Sequence, residues 1–369
     1  MHINLIIFPL IIILGLFLGI SDSPKNRKIY IIVVSIILML QVTLRSLSVG
    51  SDTPNYYNRF VSVQDMTWNE IWADFVGRYI YNTSEFDVGY TLMQKVIASI
   101  TSSWQVFVFL ALLTFFIPLG KLLYRYSNKM IQLVFAYVLY VALFHISALS
   151  GGRQLYAIGM SIMSFIYLDQ KKYLKSILFI FLGTLIHLSC LLSILPLILS
   201  KLNVKYLKTI HLIALALVPL VIVFVNQIIV FMGTAINVER YASYGMNDVT
   251  GGAWTFIAIL ILSSVFIYFV FKKKDLRFNK SMANFYSLVP LFTFFGPLIH
   301  SNGSMIRISM YFHLYLMLLI PFALDKIFNG NFRIVVYIIV ILTLLILSLR
   351  DGGLIYHFYW QEPQLFYLY

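Results

Sequence analysis

Charged side chains are scarce in this sequence. They make up 11% of its 369 residues, whereas hydrophobic residues make up 60%. Soluble domains carry roughly 25% charged residues. The shortage of charge therefore excludes an ordinary soluble domain with a large core and predicts an integral membrane protein.

Cysteine is almost absent. The single one, Cys190, lies within an apolar run. One thiol excludes a disulfide within the chain, and its apolar surroundings indicate a packing role. The sequence also lacks the glycine-rich loops of nucleotide-binding sites, zinc-binding helices and the nucleophile elbow. ATP-driven transport is therefore not supported, and we expect neither a cofactor nor a metal.

Long apolar runs are abundant instead. A helix needs about 20 apolar residues to cross the hydrocarbon core of a bilayer. The first run leads directly into a basic turn, which is typical of a membrane span and not of a cleaved signal peptide. Complete spans are predicted at residues 3–20, 29–44, 104–120, 130–149, 155–169, 209–232, 253–271, 284–300, 305–325 and 332–349.

The apolar run 174–199 poses a question of topology. If it crossed the membrane once, the basic cluster at 272–280 would lie outside, against the positive-inside rule. If it enters and leaves on one side, every basic cluster falls inside. The run is too short for two crossings, so we expect a broken or re-entrant helix pair with its break near His187 or at Pro196. The alternative makes 209–232 re-entrant, around its proline.

The resulting fold is an all-α integral membrane protein with about ten transmembrane helices and a broken or re-entrant helix pair. We expect residues 1–369 to form a single polytopic domain, with an extracytoplasmic loop at about 45–103. Both termini, this loop and residues 236–252 are predicted outside. The net charge of +13 then records topology and not a nucleic-acid partner. The predicted inner segments are 121–129, 171–175, 201–208 and 272–280.

Arginine departs from the pattern that lysine follows. Lysines fall almost entirely on the predicted inner side, while several arginines remain outside. A guanidinium group can bind phosphate through two parallel hydrogen bonds. The outer arginines are therefore candidates for function. They are Arg45, Arg59, Arg78, Arg153, Arg240, Arg307 and Arg350.

The outer loop contains a polar run, Ser-Asp-Thr-Pro at 51–54, followed by two tyrosines. A structural interpretation makes Thr53 a helix N-cap, with the proline in the first turn and Asp52 favouring the helix dipole. A functional interpretation makes Asp52 an outward carboxylate that binds a sugar hydroxyl or acts as a base. Tyr56 and Tyr57 would then stack on a sugar or form hydrogen bonds with it.

A second polar run, Ser-Gly-Gly-Arg-Gln at 150–154, opens a helix on the predicted outer side. Free backbone N–H groups after a glycine pair, beside Arg153, are typical of an anion site. Gln154 adds a polar group at the same depth and favours this interpretation. The alternative is a tight turn between helices with a snorkelling arginine.

Four further positions carry polar groups in apolar or predicted outer segments. Arg307 is set into an apolar run, where an arginine costs about 2.5–3.5 kcal/mol and normally faces a cavity or a partner, although near a span end it could snorkel. His300 precedes it and favours a polar pocket. His187 lies in the expected helix break, where a packing role is the alternative. Glu85, two residues before Asp87, is a poor metal signal without further ligands.

Five short motifs follow one another from about residue 45 to 325. They are Arg45 with Gly50-Ser51-Asp52-Thr53-x-x-Tyr56, Glu85-x-x-x-Gly89-Tyr90, Gly152-Arg153-Gln154, His187-Leu188-Ser189 and Arg307-Ile308-Ser309-x-Tyr311-Phe312. In their order and placement they resemble the EpsG family of bacterial multi-span proteins of the Wzy-like polysaccharide polymerase type.

The resemblance implies a metal-independent glycosyltransferase of the bacterial cytoplasmic membrane, with its active site facing outside. It would polymerise O-antigen, capsule or exopolysaccharide repeat units by transferring a glycan from undecaprenyl pyrophosphate to a lipid-linked acceptor. A chain-length regulator protein is a candidate partner beside the lipid bilayer. Asp52 and His187 are the candidate bases, and Arg153 and Arg307 would hold the pyrophosphate. Further substrate contacts are expected from Arg45, Tyr56, Tyr57, Glu85, Gln154 and His300.

Two other classes stay open. A lipid-linked oligosaccharide flippase or transporter would have a central polar cavity and repeated halves, but no internal repeat is visible. A membrane O-acyltransferase would need an intramembrane histidine and an acyl-donor site on the inner side, where the lysines already record topology.

Overall fold

The structure is a computed structural model that describes residues 3–81, 87–150, 152–235, 252–273, 280–350 and 355–361, with positions 243, 245 and 246. Helices dominate these ranges, as the sequence predicts. Within them, the only pairing of extended backbone is an isolated antiparallel bridge between Arg45 and Phe358. The protein is therefore all-α.

The helices of the first half are numbered here in chain order. They are α1 Asn4–Gly19, α2 Pro24–Thr43, α3 Thr53–Asp65, α4 Trp68–Tyr79, α5 Val88–Ala98, α6 Trp104–Tyr126, α7 Met130–Leu143, α8 Ile146–Ser150, α9 Gly152–Asp169 and α10 Tyr173–Ile186. The remaining helices are α11 Ile194–Leu199, α12 Val204–Val223, α13 Val225–Ala235, α14 Trp254–Lys273, α15 Lys280–Tyr286, α16 Leu288–Phe295, α17 Ile306–His313, α18 Leu316–Ile327 and α19 Gly330–Arg350.

The number of membrane spans that the sequence predicts is not confirmed. Among the described residues, five helical segments are long and apolar enough to cross a membrane, and a sixth appears if one bent pair is counted. The chain is a multi-pass membrane protein, but the count of about ten spans is not confirmed. Several expected spans are shorter helices, since α1 has only 16 residues and α7 ends at Leu143. The five are Pro24–Thr43, Trp104–Tyr126, Val204–Val223, Trp254–Lys272 and Ser281–His300.

The predicted span 305–325 is a broken helix. Gly303–His313 and Leu316–Ile327 meet at an angle of 54°. Sharp bends usually occur at proline or glycine, and the residues of this break contain neither. The apolar pattern continues through the bend, so hydropathy alone could not have located it.

The predicted break within 174–199 is confirmed at His187. α10 ends at Ile186, a 3₁₀ helix follows over Leu188–Ser193, and α11 begins at Ile194. Pro196, the other candidate for the break, lies inside α11. The alternative segment 209–232 is also interrupted, but at Phe224, because α12 runs through its proline without a break.

The chain packs as two compact units. Unit 1 comprises Met1–Tyr167, Tyr173–Leu191 and Gly330–Tyr369, and unit 2 comprises Leu168–Lys172 and Leu192–Asn329. In unit 1, α2 packs along α6, and both α1 and α19 pack on α7. In unit 2, α12 packs along α16, and an apolar core forms around Val225, Leu298 and Met305.

The loop at 45–103 is largely helical, because it contains α3, α4 and α5. A capping box fixes the start of α4: the Thr67 hydroxyl accepts from the Glu70 backbone N–H, and the Glu70 carboxylate accepts from that of Thr67. α3 packs on α5, and α5 packs on both α6 and α10. The loop therefore rests on the helices of unit 1 and places its polar residues against them.

Candidate functional site

Arg45 is a buried cation in unit 1, only 4% exposed. Its guanidinium group donates hydrogen bonds to Thr53 Oγ1, at 3.4 Å from both Nε and Nη2, and to the carbonyl oxygen of Val42. Burial lowers the pKa of Arg45 to about 10, so it stays protonated at neutral pH. Within the described ranges, no carboxylate pairs with it. Four phenol groups act on it electrostatically, those of Tyr56, Tyr90, Tyr156 and Tyr356.

The turn before α3 brings Thr53 to Arg45. Gly50 has φ +94°, and a Cβ at this position would overlap the carbonyl oxygen of Leu149. Thr53 Oγ1 lies 2.8 Å from the carbonyl oxygen of Val49 and 3.2 Å from that of Leu149. Only glycine accepts this combination of backbone angle and close approach without strain, so the turn is tied to the end of α8.

The predicted capping role of Thr53 is wrong. Thr53 is the first residue of α3, the N-cap is Asp52, and the Asp52 side chain forms no capping hydrogen bond. The reason is that the Thr53 hydroxyl faces the two carbonyl groups and Arg45 instead of the helix N–H groups. Asp52 is half-buried at the start of α3.

Arg153 is a second arginine beside these tyrosines. Its Nη1 lies 3.0 Å from Asp87 Oδ2, and its side chain is 22% exposed. The guanidinium carbon lies 5.6 Å from the ring centre of Tyr56 and 5.9 Å from that of Tyr90. Burial opposes the charge, but Tyr56 and Asp87 outweigh it and the pKa of Arg153 is raised. The residue that partners this arginine, Asp87, was not among the predicted site residues.

The tyrosines around the two arginines contact one another. The ring centres of Tyr56 and Tyr90 are 5.8 Å apart in an edge-to-face arrangement, and those of Tyr90 and Tyr156 are 6.2 Å apart and stacked. Gln94 Nε2 donates to the Tyr90 hydroxyl at 3.3 Å. We call Arg45, Arg153, Tyr56, Tyr90 and Tyr156 the arginine–tyrosine cluster. Because its tyrosines are at most 8% exposed, Arg153 is its most accessible member.

His187 lies in the same unit, at the end of α10. It is 8% exposed, and its Nδ1 lies 2.7 Å from Ser189 Oγ. α5 approaches α10 so closely that a Cβ on Gly89 would overlap the backbone of Leu185. The helix that carries Tyr90 therefore packs directly against the turn that leads into His187.

Beside these residues lies a cavity of about 350 Å³ in unit 1. Tyr57 and Trp104 line it, with ring centres 5.7 Å apart at 90°. The two adjacent tyrosines of α3 thus differ in environment, because Tyr56 belongs to the arginine–tyrosine cluster. Further lining residues include Arg45, Gln64, Gln105 and Tyr359.

The remaining predicted residues lie elsewhere. Gln154 is 4% exposed in unit 1, next to Arg153. His300 and Arg307 belong to unit 2, where the His300 ring centre is 4.4 Å from that of Trp254 and Arg307 is half-buried in the first turn of α17. Glu85 falls outside the described residues.

The sequence analysis missed three residues that surround Arg45 and Arg153. Asp87 was considered only as a metal ligand, and Tyr156 and Tyr356 were not singled out. Tyr156 follows Arg153 by three residues, which places it on the same helix face, and this spacing could have identified it. Tyr356 has no such local signal. Across the residues that the structure describes, no group of three His, Cys, Asp or Glu could hold a metal ion.

Comparison with known proteins gives one match. The model of the EpsG family matches residues 28–351. No curated protein and no solved structure matches the chain. The matched region contains Arg45, Asp52, Arg153, His187 and Arg307. Because it covers most of the sequence, the chain belongs to the EpsG family.

Proposed function

We propose that this membrane protein is a polysaccharide repeat-unit polymerase of the outer face of the bacterial cytoplasmic membrane. It transfers a growing glycan from undecaprenyl pyrophosphate to a hydroxyl group of a lipid-linked acceptor repeat unit. EpsG family membership supports a role in polysaccharide biosynthesis.

The observation that carries the proposal is the arginine–tyrosine cluster. A buried charge without a counter-ion costs roughly 3–5 kcal/mol, and no described carboxylate pairs with Arg45. An anionic substrate would supply the missing negative charge. Arg153, 22% exposed, would contact the pyrophosphate directly. Arg45, which is buried beside the same tyrosines, would add positive potential without direct contact.

This arrangement suits a reaction with a pyrophosphate leaving group. The acceptor oxygen forms a bond to the anomeric carbon of the growing glycan, and the bond from that carbon to the pyrophosphate oxygen breaks. The electron pair leaves with undecaprenyl pyrophosphate, and the hydroxyl proton passes to a base. Fixed cations near the leaving oxygen stabilise the charge that develops there, so a separate general acid is unnecessary.

Asp52 is the first candidate base. Its side chain forms no capping hydrogen bond and it is half-buried beside Thr53, which bonds to Arg45. His187, beside Ser189, is the second candidate. Arg307 and His300, which the sequence predicts as a pyrophosphate ligand and a substrate contact, lie in unit 2 and stay predictions. No observation on the described residues favours a flippase or an O-acyltransferase over the polymerase.

The test is the length of the surface glycan in cells that lack the protein. Loss of a polymerase should leave single repeat units on the lipid carrier, because synthesis and export of the unit continue. Loss of a flippase should leave no unit at the surface, and loss of an O-acyltransferase should leave full-length polymer without acyl groups. Gel separation of the glycans and mass spectrometry of the shortest species distinguish the three results. Full-length, normally acylated polymer in these cells would contradict all three.

A further inference from the structure

A short segment, 355–361, lies against the residues around Arg45 that follow α2. The Ser46 N–H donates to the carbonyl oxygen of His357 at 2.9 Å, and the Tyr359 N–H donates to that of Leu44 at 3.0 Å. The hydroxyl of Tyr356 donates to the Gln41 carbonyl at 2.6 Å. Three hydrogen bonds thus hold this segment, called here the C-terminal strap, against the end of α2.

The C-terminal strap supplies one wall of the cavity described above. Tyr359 lines the cavity of about 350 Å³, and its neighbour Trp360 does not. Both side chains are exposed, 43% for Tyr359 and 58% for Trp360. The strap also lies beyond the part of the chain that the family model matches, which ends at residue 351. A residue outside the shared region therefore completes a cavity whose other walls lie within it.

The lining has the chemistry of a saccharide site. Three aromatic rings, those of Tyr57, Trp104 and Tyr359, can pack against the C–H faces of a sugar ring. Amide groups of Gln64 and Gln105 and the hydroxyl groups of two serines can bond to sugar hydroxyls. Among the described residues that line the cavity, Arg45 is the charged one. Its positive charge disfavours a cationic ligand, and the volume lies in the range of small-molecule sites.

We propose that this cavity binds a neutral or acidic saccharide and that the C-terminal strap, through Tyr359, determines which one. The inference rests on the proposed function only in identifying that saccharide as part of the acceptor repeat unit. Direct binding to the purified protein tests the cavity without any polymerisation assay.

The experiment measures binding of a fixed panel of methyl glycosides to the full chain in detergent or nanodiscs. The panel contains a hexose, an N-acetylhexosamine and a hexuronate, and saturation-transfer NMR detects the bound sugars. We expect at least one glycoside to bind, and Tyr359→Ala to weaken its binding roughly tenfold. Trp360→Ala is the matched control, because it removes an exposed aromatic ring from the same strap but not from the cavity.

The outcomes separate the inference from the proposed function. If no glycoside binds, or if Tyr359→Ala and Trp360→Ala bind like the wild type, the saccharide cavity is refuted, whatever happens to the polymer in cells. If Tyr359→Ala loses binding while deletion of the gene leaves polymer length normal, the cavity stands and the polymerase fails. Thermal unfolding of each variant shows whether a loss of binding reflects the cavity or a loss of fold. If Tyr359→Ala unfolds, Tyr359→Leu replaces it, since it keeps an apolar side chain but removes the ring, and it should weaken binding as much.

Discussion

Asp87 Oδ2 accepts a hydrogen bond from Arg153 Nη1 at 3.0 Å, and this ion pair joins the start of α5 to the start of α9. The two residues are 66 positions apart in the sequence. The pair fixes one edge of the guanidinium group, while the rings of Tyr56 and Tyr90 lie within 6 Å of it. Arg153 is thereby oriented, and its 22% exposed side chain remains accessible to an anion.

Arg153→Lys is expected to slow glycan polymerisation roughly a hundredfold, because lysine keeps the charge but cannot bond to phosphate through two parallel N–H groups. Glycan length on gels measures the effect, with the amount of protein in the membrane determined in parallel. Arg59→Lys is the matched control, since Arg59 is another half-buried arginine that faces an aspartate, 3.6 Å from Asp74. Polymer of wild-type length in Arg153→Lys as well as in Arg59→Lys would show that Arg153 is not part of the site.

Asp52→Asn should leave single repeat units while the protein stays folded. Asparagine caps a helix about as well as aspartate, and the Asp52 side chain forms no capping bond here, so stability should hardly change. Asp65→Asn, an exposed aspartate at the end of the same helix, should polymerise normally. If Asp52→Asn is active while His187→Ala is inactive at normal abundance, the role of base passes to His187.

Gly50→Ala should destabilise the protein by at least about 2 kcal/mol, because a left-handed backbone angle and an overlap with Leu149 act together. The change also displaces Thr53 from Arg45, so polymerisation should fall with it. Gly303→Ala serves as the control, since a Cβ there meets nothing within 4 Å and φ is not positive. Thermal unfolding in detergent measures both variants, and equal midpoints would show that the turn tolerates a side chain.

The sequence predicts the helices better than their breaks. Apolar runs locate the helical segments because burial in lipid selects for them, and the charge pattern predicted a break within 174–199, with His187 and Pro196 as its alternative positions. The bend between His313 and Leu316 was missed because neither glycine nor proline marks it. The predicted span bounds differ from the helix bounds because hydropathy does not register helix ends such as Leu143.

The site could be predicted only in part. Arg45 and Arg153 were candidates because arginine outside the membrane is not explained by topology. The sequence could not show that both face the same tyrosines, since Tyr56, Tyr90 and Tyr156 come from three helices that pack together only in the folded unit. The contact of the C-terminal strap with α2 is even harder to predict from the sequence, because the hydrogen bond from Tyr356 to Gln41 spans 315 positions. No local pattern records such a contact.

The topology can be tested by cysteine labelling with a membrane-impermeant reagent. Cys190 is buried and should stay unlabelled, so single cysteines can be placed at Lys205 and at position 276, which lies outside the described residues. Both positions are expected to be inside and protected in intact cells. Labelling at 276 would contradict both topologies considered for this chain. Labelling at Lys205 alone would move the re-entrant segment to 209–232.

Arg45→Met separates function from stability. Arg45 has no carboxylate partner among the described residues, and an apolar side chain of similar length removes the cost of desolvating its charge. The unfolding midpoint of Arg45→Met should therefore equal or exceed that of the wild type, while polymerisation is lost with the positive charge. Arg45→Lys keeps the charge and should restore part of the polymer. The opposite result would be that Arg45→Met unfolds at a clearly lower temperature and that Arg45→Lys is equally inactive. Arg45 would then be a structural residue that holds Thr53 and the end of α2 in place.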